Sequence, residues 1–221
     1  MSAAGERALR REIVETALEM ERLGINQGTS GNVSARHAEG FLITPSGVPA
    51  RELREEGIVW LPLDVADGDD VLRVKRPSSE WRIHRDILRA RQEMHAVVHT
   101  HSIAATALAI HGRDIPALHY MVAAAGGDSI RCAPYALFGT QLLSDHALEA
   151  LRGRRACLLA HHGVVALGDD LAHAVWLAHE VEVLARQYLL ACQLGPPPLL
   201  SEVQMDEVVE RFKTYGRRKQ V

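Results

Sequence analysis

Two histidines one residue apart, His99 and His101, interrupt the most apolar stretch of the chain, Ala96 to Ile110. That stretch is shorter than the roughly 20 apolar residues a membrane-spanning helix needs, so it belongs in a folded core. Ala96–His101 reads as a strand and Ser102–His111 as a helix following it directly. Side chains on a strand alternate with period two, so both imidazoles share one face and only Thr100 turns to the other. A rigid backbone thereby offers two ligands to one ion.

A second pair of apolar runs, Ala156–Ala160 and Val164–Leu167, is split by His161-His162-Gly163. Glycine permits a sharp turn there, so one of the two histidines can reach back to the first pair. Three neutral imidazoles with an open fourth position form a donor set of catalytic rather than structural type. An isolated H-x-H in a strand is commonly ordinary, and the neighbouring segments decide its meaning.

Three of those segments share a character. Asn26-Gln27-Gly28-Thr29-Ser30-Gly31-Asn32 and Thr44-Pro45-Ser46-Gly47 are small, polar and turn-forming. Pro77-Ser78-Ser79-Glu80-Trp81-Arg82 opens a helix with two hydroxyls and a carboxylate, and unpaired amides at a helix N-terminus suit a phosphate. Together they predict a metal beside a phosphate pocket built without lysine or arginine.

The other elements follow from periodicity and punctuation. Glu6 to Leu23 is predicted helical, with Leu9, Ile13, Ala17 and Met20 on one face and Gly24 as its stop. Asn32–Arg36, Phe41–Thr44 and Ile58–Leu63 read as strands, and the acidic run Asp64–Asp70 as a hairpin loop to a further strand at Val71–Lys75. Trp81, Ile87 and Leu88 mark the helix after Pro77. Asp170 opens a long helix to about Leu194, stopped by Pro196-Pro197-Pro198, and Ser201 with Gln204 forms a capping box for a last helix through Tyr215, closed by Gly216. Strands and helices do not alternate strictly, so the expectation is a three-layer α/β fold with a mixed sheet. No repeat or low-complexity tract divides the chain, and residues 1–221 are expected to form a single domain.

Composition narrows the partners. A net charge of −3 gives no electrostatic case for nucleic acid or an anionic membrane surface. Three widely spaced cysteines, Cys132, Cys157 and Cys192, without a C-x-x-C pair argue against a disulfide framework and fit a reducing compartment. Without an apolar signal core after Met1, the cytoplasm is the expected location. Of the twelve histidines, His37, His84, His95, His111, His146, His173 and His179 have no spacing that argues for a site, and Glu180 and Glu182 read as solvated or interface charges.

The motifs taken in order resemble the class II aldolase/adducin family, and within it the zinc-dependent aldolases of ketose 1-phosphates. The resemblance rests on 23–34, 42–47, 77–82 and 97–101, then Ile115-Pro116-Ala117-Leu118-His119-Tyr120-Met121, Ala123-Ala124-Ala125-Gly126-Gly127 and Ala133-Pro134-Tyr135-Ala136-Leu137-Phe138-Gly139-Thr140. His161-His162-Gly163, Trp176-Leu177-Ala178-His179-Glu180-Val181-Glu182 and Phe212-Lys213-Thr214-Tyr215-Gly216 complete it across nearly the whole chain. It implies a central, mainly antiparallel nine-stranded sheet between helices and a homotetramer with active sites at subunit interfaces. It also implies one zinc per subunit on His99, His101 and His162, with Glu80 a ligand at rest and a base during turnover. The phosphate would meet Gly28, Asn32, Ser46, Gly47, Ser78 and Ser79. Tyr120 would act in the neighbouring subunit's site, and Phe138 and Tyr215 would lie near the aldehyde. His119, read from its position alone, neighbours Tyr120 and is placed to support it.

The implied reaction splits a ketose 1-phosphate, L-fuculose 1-phosphate first, into dihydroxyacetone phosphate and L-lactaldehyde through an enediolate. The same motifs serve 5-deoxypentulose-phosphate aldolases, pentulose-phosphate 4-epimerases and dehydratases, and the adducin-like members are non-enzymatic interaction modules that lack the metal ligands. Two departures stand out: Thr100 replaces an asparagine between the two histidines, and the segment from Ala50 to Val74 diverges.

Overall fold

The computed structural model of the protein describes residues 3–212. A long helix, α1 (Ala3–Arg22), leads into a hairpin of β1 (Asn32–His37) and β2 (Gly40–Ile43), then β3 (Val59–Pro62), α2 (Asp70–Lys75) and α3 (Trp81–Ala90). β4 (Ala96–Thr100) and α4 (Ile103–Ile110) carry the apolar stretch. β5 (Cys132–Ala133), α5 (Gln141–Ala150), β6 (Ala156–Leu159), β7 (Gly163–Gly168), α6 (Leu171–Cys192) and α7 (Glu202–Phe212) complete the order, with 3-10 segments at Ala50–Glu52, Glu55–Gly57 and Tyr120–Ala125. No helix among the described residues is long and apolar enough to cross a membrane.

Among the described residues the sheet has seven strands in the order β3-β2-β1-β4-β7-β6-β5. β5 runs parallel to β6 and the other pairings are antiparallel, so the sheet is mixed. The nine-stranded, mainly antiparallel sheet implied by the resemblance is therefore corrected. One reason lies at Pro45 and Pro77, which meet only as an isolated bridge. Proline has no amide to donate, so the contact rests on Ser46 N to Arg76 O at 3.0 Å and Ser78 N to Thr44 O at 2.9 Å, and it extends no further. A second lies at Val71–Lys75, predicted as a strand but folded as α2. Val71 and Leu72 pack on the core while Arg73, Val74 and Lys75 stay exposed, a one-sided pattern, and Arg76 ends the turn at φ 48°.

Strand residues alternate between two apolar layers, each residue of Leu or Ile size contributing about 1.5–3 kcal/mol on burial. Val33, Ala35, Val98 and Ala166 face Ile13, Leu108 and Val181 on the side of α1, α4 and α6. Phe41, Val97, Val165 and Leu167 face Ile83, Ile87 and Leu143 on the side of α3 and α5. The result is the expected three-layer α/β arrangement. By the same alternation Asn32 and Ser34 of β1 and His99 of β4 fall on the α3 side, and all three are buried.

The helix ends follow local chemistry. The Asp170 carboxylate accepts from His173 N at 2.7 Å at the start of α6. Before α7, Ser201 N donates to Gln204 Oε1 at 2.9 Å and Gln204 N to Ser201 Oγ at 3.3 Å, the reciprocal pair that the sequence predicts. The continuation through Tyr215 to Gly216 lies outside the described residues.

Candidate metal centre

β4 delivers His99 from its interior and His101 from just beyond its end. His99 stands opposite Asn32 on β1 and Val165 on β7. The third histidine comes from the turn between β6 and β7, where His161 adopts φ 56°. That left-handed residue is exposed, and the turn it makes brings His162 inward. The sharp turn expected of Gly163 is therefore made by His161. Gly163 matters for a different reason, because a Cβ there would lie 2.2 Å from Thr100 O, 3.1 Å from His101 Cδ2 and 3.3 Å from His99 Cε1. Its missing side chain is the space in which the rings gather.

Ligand nitrogens of His99, His101 and His162 all lie within 4.8 Å of one another. His99 Nε2 is 2.9 Å from His101 Nε2, and the three rings meet nearly edge to face, with centroids 4.8 to 4.9 Å apart. His99 Nδ1 is 2.9 Å from the Val164 carbonyl, which can only accept, so Nδ1 carries a proton there and Nε2 turns into the cluster.

Glu80 closes the cluster. It is the residue before α3 and only 4% exposed. Its Oε2 accepts from Asn32 Nδ2 at 3.0 Å and lies 3.1 Å from His99 Nε2. Its Oε1 lies 3.3 Å from His162 Nε2, at an angle that makes no hydrogen bond, and is buried without any other partner. Burial alone would raise this carboxyl's pKa, but His99, His162 and Asn32 outweigh it and hold Glu80 well below the usual carboxylate range.

Burial, with His99 as the next cause, pushes His101 and His162 down to about 4, so both are neutral ligands near pH 7. Burial also pulls on His99, but the Glu80 charge and hydrogen bonding lift it above its ordinary value. The site thus favours positive charge beside His99. Converging imidazole nitrogens, an ionised carboxylate and an orphaned buried oxygen are a donor set that fits a divalent cation.

The structure also gathers most of the expected phosphate residues. Asn32 is buried, with one amide hydrogen committed to Glu80. Ser78 is buried beside it, its Oγ accepting from Glu80 N at 3.3 Å. The bridge at Pro45 and Pro77 brings Ser46 and Gly47 alongside, Gly47 at φ 73°. Gly28, at φ 62°, lines a narrow crevice with Asn26, Gly31, Asn32, Thr44 and Pro45. Ser79 is exposed, and its carbonyl packs so closely on Gly139 that a Cβ there would lie 2.8 Å away.

That contact sets the loop of Phe138, 62% exposed, against the start of α3. Tyr120 is not brought to the cluster within this chain. It is 51% exposed and shares a crevice with Met121, Glu207, Val208, Arg211 and Phe212. His119 accepts from Met121 N at 3.2 Å, capping the 3-10 segment. Tyr215 lies outside the described residues.

Two residues to which the sequence alone gives no role belong to the surroundings of the site. His84, without a telling spacing to other histidines, is one helical turn after Glu80 and touches both Asn32 and Ser34. The spacing of four from Glu80 is the available signal. Glu182, expected as a solvated or interface charge, is buried: its carboxylate accepts from Ala104 N at 3.0 Å and Ala105 N at 2.9 Å, capping the helix that follows His101.

With this geometry in place, similarity to known proteins becomes informative. Residues 11–189 match the pattern described as Class II Aldolase and Adducin N-terminal domain. The chain is 52% identical over 212 residues to an L-fuculose phosphate aldolase of Escherichia coli (strain K12), covering 95% of this chain and 96% of the relative. It is 50% identical over 215 residues to a 5-methylthioribulose-1-phosphate/5-deoxyribulose-1-phosphate aldolase of Rhodospirillum rubrum, covering 97% and 95%. A solved structure titled L-fuculose 1-phosphate aldolase superposes with a TM-score of 0.87 at 34% identity, covering 96% of this chain and 98% of that one.

Proposed function

The chain belongs to the class II aldolase and adducin family and is an aldolase, a lyase; on that premise we propose that it cleaves a ketose 1-phosphate to dihydroxyacetone phosphate and a short aldehyde. The observation that carries this reading is the convergence of His99, His101 and His162 on the ionised Glu80. The three histidines hold a divalent ion, zinc by the character of the nitrogen donors. When bound, that ion supplies Lewis-acid stabilisation of the charge that develops as the C3–C4 bond breaks.

The protein's own groups do the rest. In cleavage the C4 hydroxyl loses one proton and C3 of the cleaved half gains one. Glu80, ionised at rest, therefore takes up a proton during the turn and passes it to C3, and it removes that proton in the reverse direction. Ser78, Ser79, Ser46 and the backbone at Gly28 and Gly47 receive the phosphate, with the second amide hydrogen of Asn32 beside them. Tyr120, exposed in this chain, serves the C4 oxygen in a neighbouring subunit of a homotetramer. Phe138, on the loop whose Gly139 packs against the Ser79 carbonyl, borders the aldehyde, joined by Tyr215. Residues 1–221 work as one domain.

Two substrates divide the support. The Escherichia coli relative favours L-fuculose 1-phosphate. The Rhodospirillum rubrum relative, named for both 5-methylthioribulose 1-phosphate and 5-deoxyribulose 1-phosphate, favours 5-deoxyribulose 1-phosphate or its methylthio analogue, at nearly equal identity. L-fuculose 1-phosphate is the first reading. The test is the purified, zinc-loaded protein with each compound, coupled to a dihydroxyacetone-phosphate assay. The larger kcat/KM assigns the substrate. No dihydroxyacetone phosphate from either, with epimerisation of a pentulose 5-phosphate instead, would replace this reading by the epimerase one.

A further inference from the structure

We propose that His84 is a positioning residue for Glu80, acting through the side-chain amide of Asn32. This rests on the reading of Glu80 as the proton-transfer group.

His84 is 0% exposed, yet both ring nitrogens are matched: Nδ1 lies 2.7 Å from Ser34 Oγ, and Nε2 is in short contact with Asn32 Oδ1. The polarity of the row follows from its ends. Glu80 is ionised and can only accept, so Asn32 must present Nδ2 to it, as the 3.0 Å contact has it. The amide oxygen then faces His84. An amide oxygen also only accepts, so the imidazole hydrogen sits on Nε2. Nδ1 is left bare and takes the hydroxyl hydrogen of Ser34.

Each donor in the row Ser34, His84, Asn32, Glu80 therefore meets one acceptor, and the direction cannot reverse at one member alone. With an apolar group in place of His84, the Asn32 amide loses the partner that fixes its orientation. A turn of 180° would set Oδ1 against the carboxylate, and without that turn Oδ1 stays buried and unsatisfied. The native row instead ties Oε2 down and leaves Oε1, the oxygen without a hydrogen bond, free to exchange a proton with substrate.

The first test requires no catalysis. Nitrogen NMR of the protein labelled at histidine, metal-free and zinc-loaded, with the His84 signal assigned by its absence from H84Q, is expected to give the Nε2–H tautomer in both states. The Nδ1–H tautomer would overturn the proposal. The second compares His84→Leu, similar in volume without a donor, with His84→Gln, which keeps an N–H near the Nε2 position. The leucine variant should lose roughly 10–100-fold in kcat, with zinc content close to wild type, and the glutamine variant should recover most of the loss. A folded, zinc-loaded His84→Leu protein with wild-type kcat would overturn it, as would a glutamine variant as slow as the leucine one. If the leucine variant does not fold, the tautomer and the glutamine variant decide. Deuterium uptake from solvent into dihydroxyacetone phosphate reads Glu80 separately. Its absence from the wild-type protein would remove the proposed role of Glu80 while leaving the tautomer measurement standing.

Discussion

Asn32 and His99 stand directly opposite each other across the β1–β4 ladder, and both reach the same carboxylate oxygen, Glu80 Oε2, at 3.0 and 3.1 Å. Neighbouring strands thus pin the start of α3 to the sheet at the point where the histidines converge. The candidate metal ligands and the candidate base share one support.

His99→Ala removes the ligand that is held by Val164 and adjacent to both His101 and Glu80. Zinc content measured by atomic emission should fall from about one per chain to a small fraction, and activity by more than ~100-fold. Full activity in a thoroughly demetallated wild-type sample would refute metal dependence.

Glu80→Gln keeps the shape of the side chain but cannot accept a proton at physiological pH. Loss of a general acid–base group costs on the order of 10²–10⁴ in rate. Turnover should fall by that factor with a native circular dichroism spectrum, and solvent deuterium should no longer enter dihydroxyacetone phosphate.

Gly163→Ala forces a methyl group to within 2.2 Å of the Thr100 carbonyl and against two imidazoles. Overpacking of this kind costs about 1–3 kcal/mol. Thermal unfolding should begin at a lower temperature, and zinc affinity by competition with a chelator should fall with it. An unchanged affinity would mean that the rings tolerate displacement.

Acid should destabilise the metal-free protein through His84. Burial, with His99 as the next cause, pushes its folded-state pKa from 6.5 down to about 3. Between those values the unfolded chain binds a proton that the folded chain refuses, so stability rises with pH and is lost as pH falls below about 6.5. Urea midpoints between pH 7 and pH 4 should decline more steeply for wild type than for His84→Gln, which cannot titrate.

Glu182→Gln tests the cap on α4. The two backbone amides it accepts from would keep one neutral acceptor between them. The expected loss is about 1–2 kcal/mol in chemical denaturation, with a smaller drop in zinc affinity because His101 directly precedes this helix. A stability equal to wild type would make the buried carboxylate dispensable.

The H-x-H pair is legible in the sequence because strand parity is a local property, and the long helices because their apolar faces recur over many turns. Other features are decided by tertiary contacts. His161 and His162 both precede the glycine and look equivalent in sequence. The exposed one is fixed by its left-handed conformation and by its amide, which donates to Ala109 O at 3.1 Å on another element. β5 spans only Cys132–Ala133, too short to show any period. Val71–Lys75 carries branched residues that suit a strand, but only Val71 and Leu72 pack on the core, and this one-sided stretch closes into a helical turn. Glu182 looks like a surface charge because nothing in its own helix reveals that the amides of α4 lie against it.

The placing of His99 on one side of β4 and Thr100 on the other has a consequence for how the molecule is made. A slip of one residue between β4 and its neighbours would turn His99 into the apolar layer beneath α4 and α6 and offer a threonine methyl and hydroxyl in its place. Such a chain could bury much of the same surface and yet would present no set of three imidazoles. Uptake of the ion therefore proofreads strand pairing: it adds binding energy only to the correctly threaded chain and draws the population toward it.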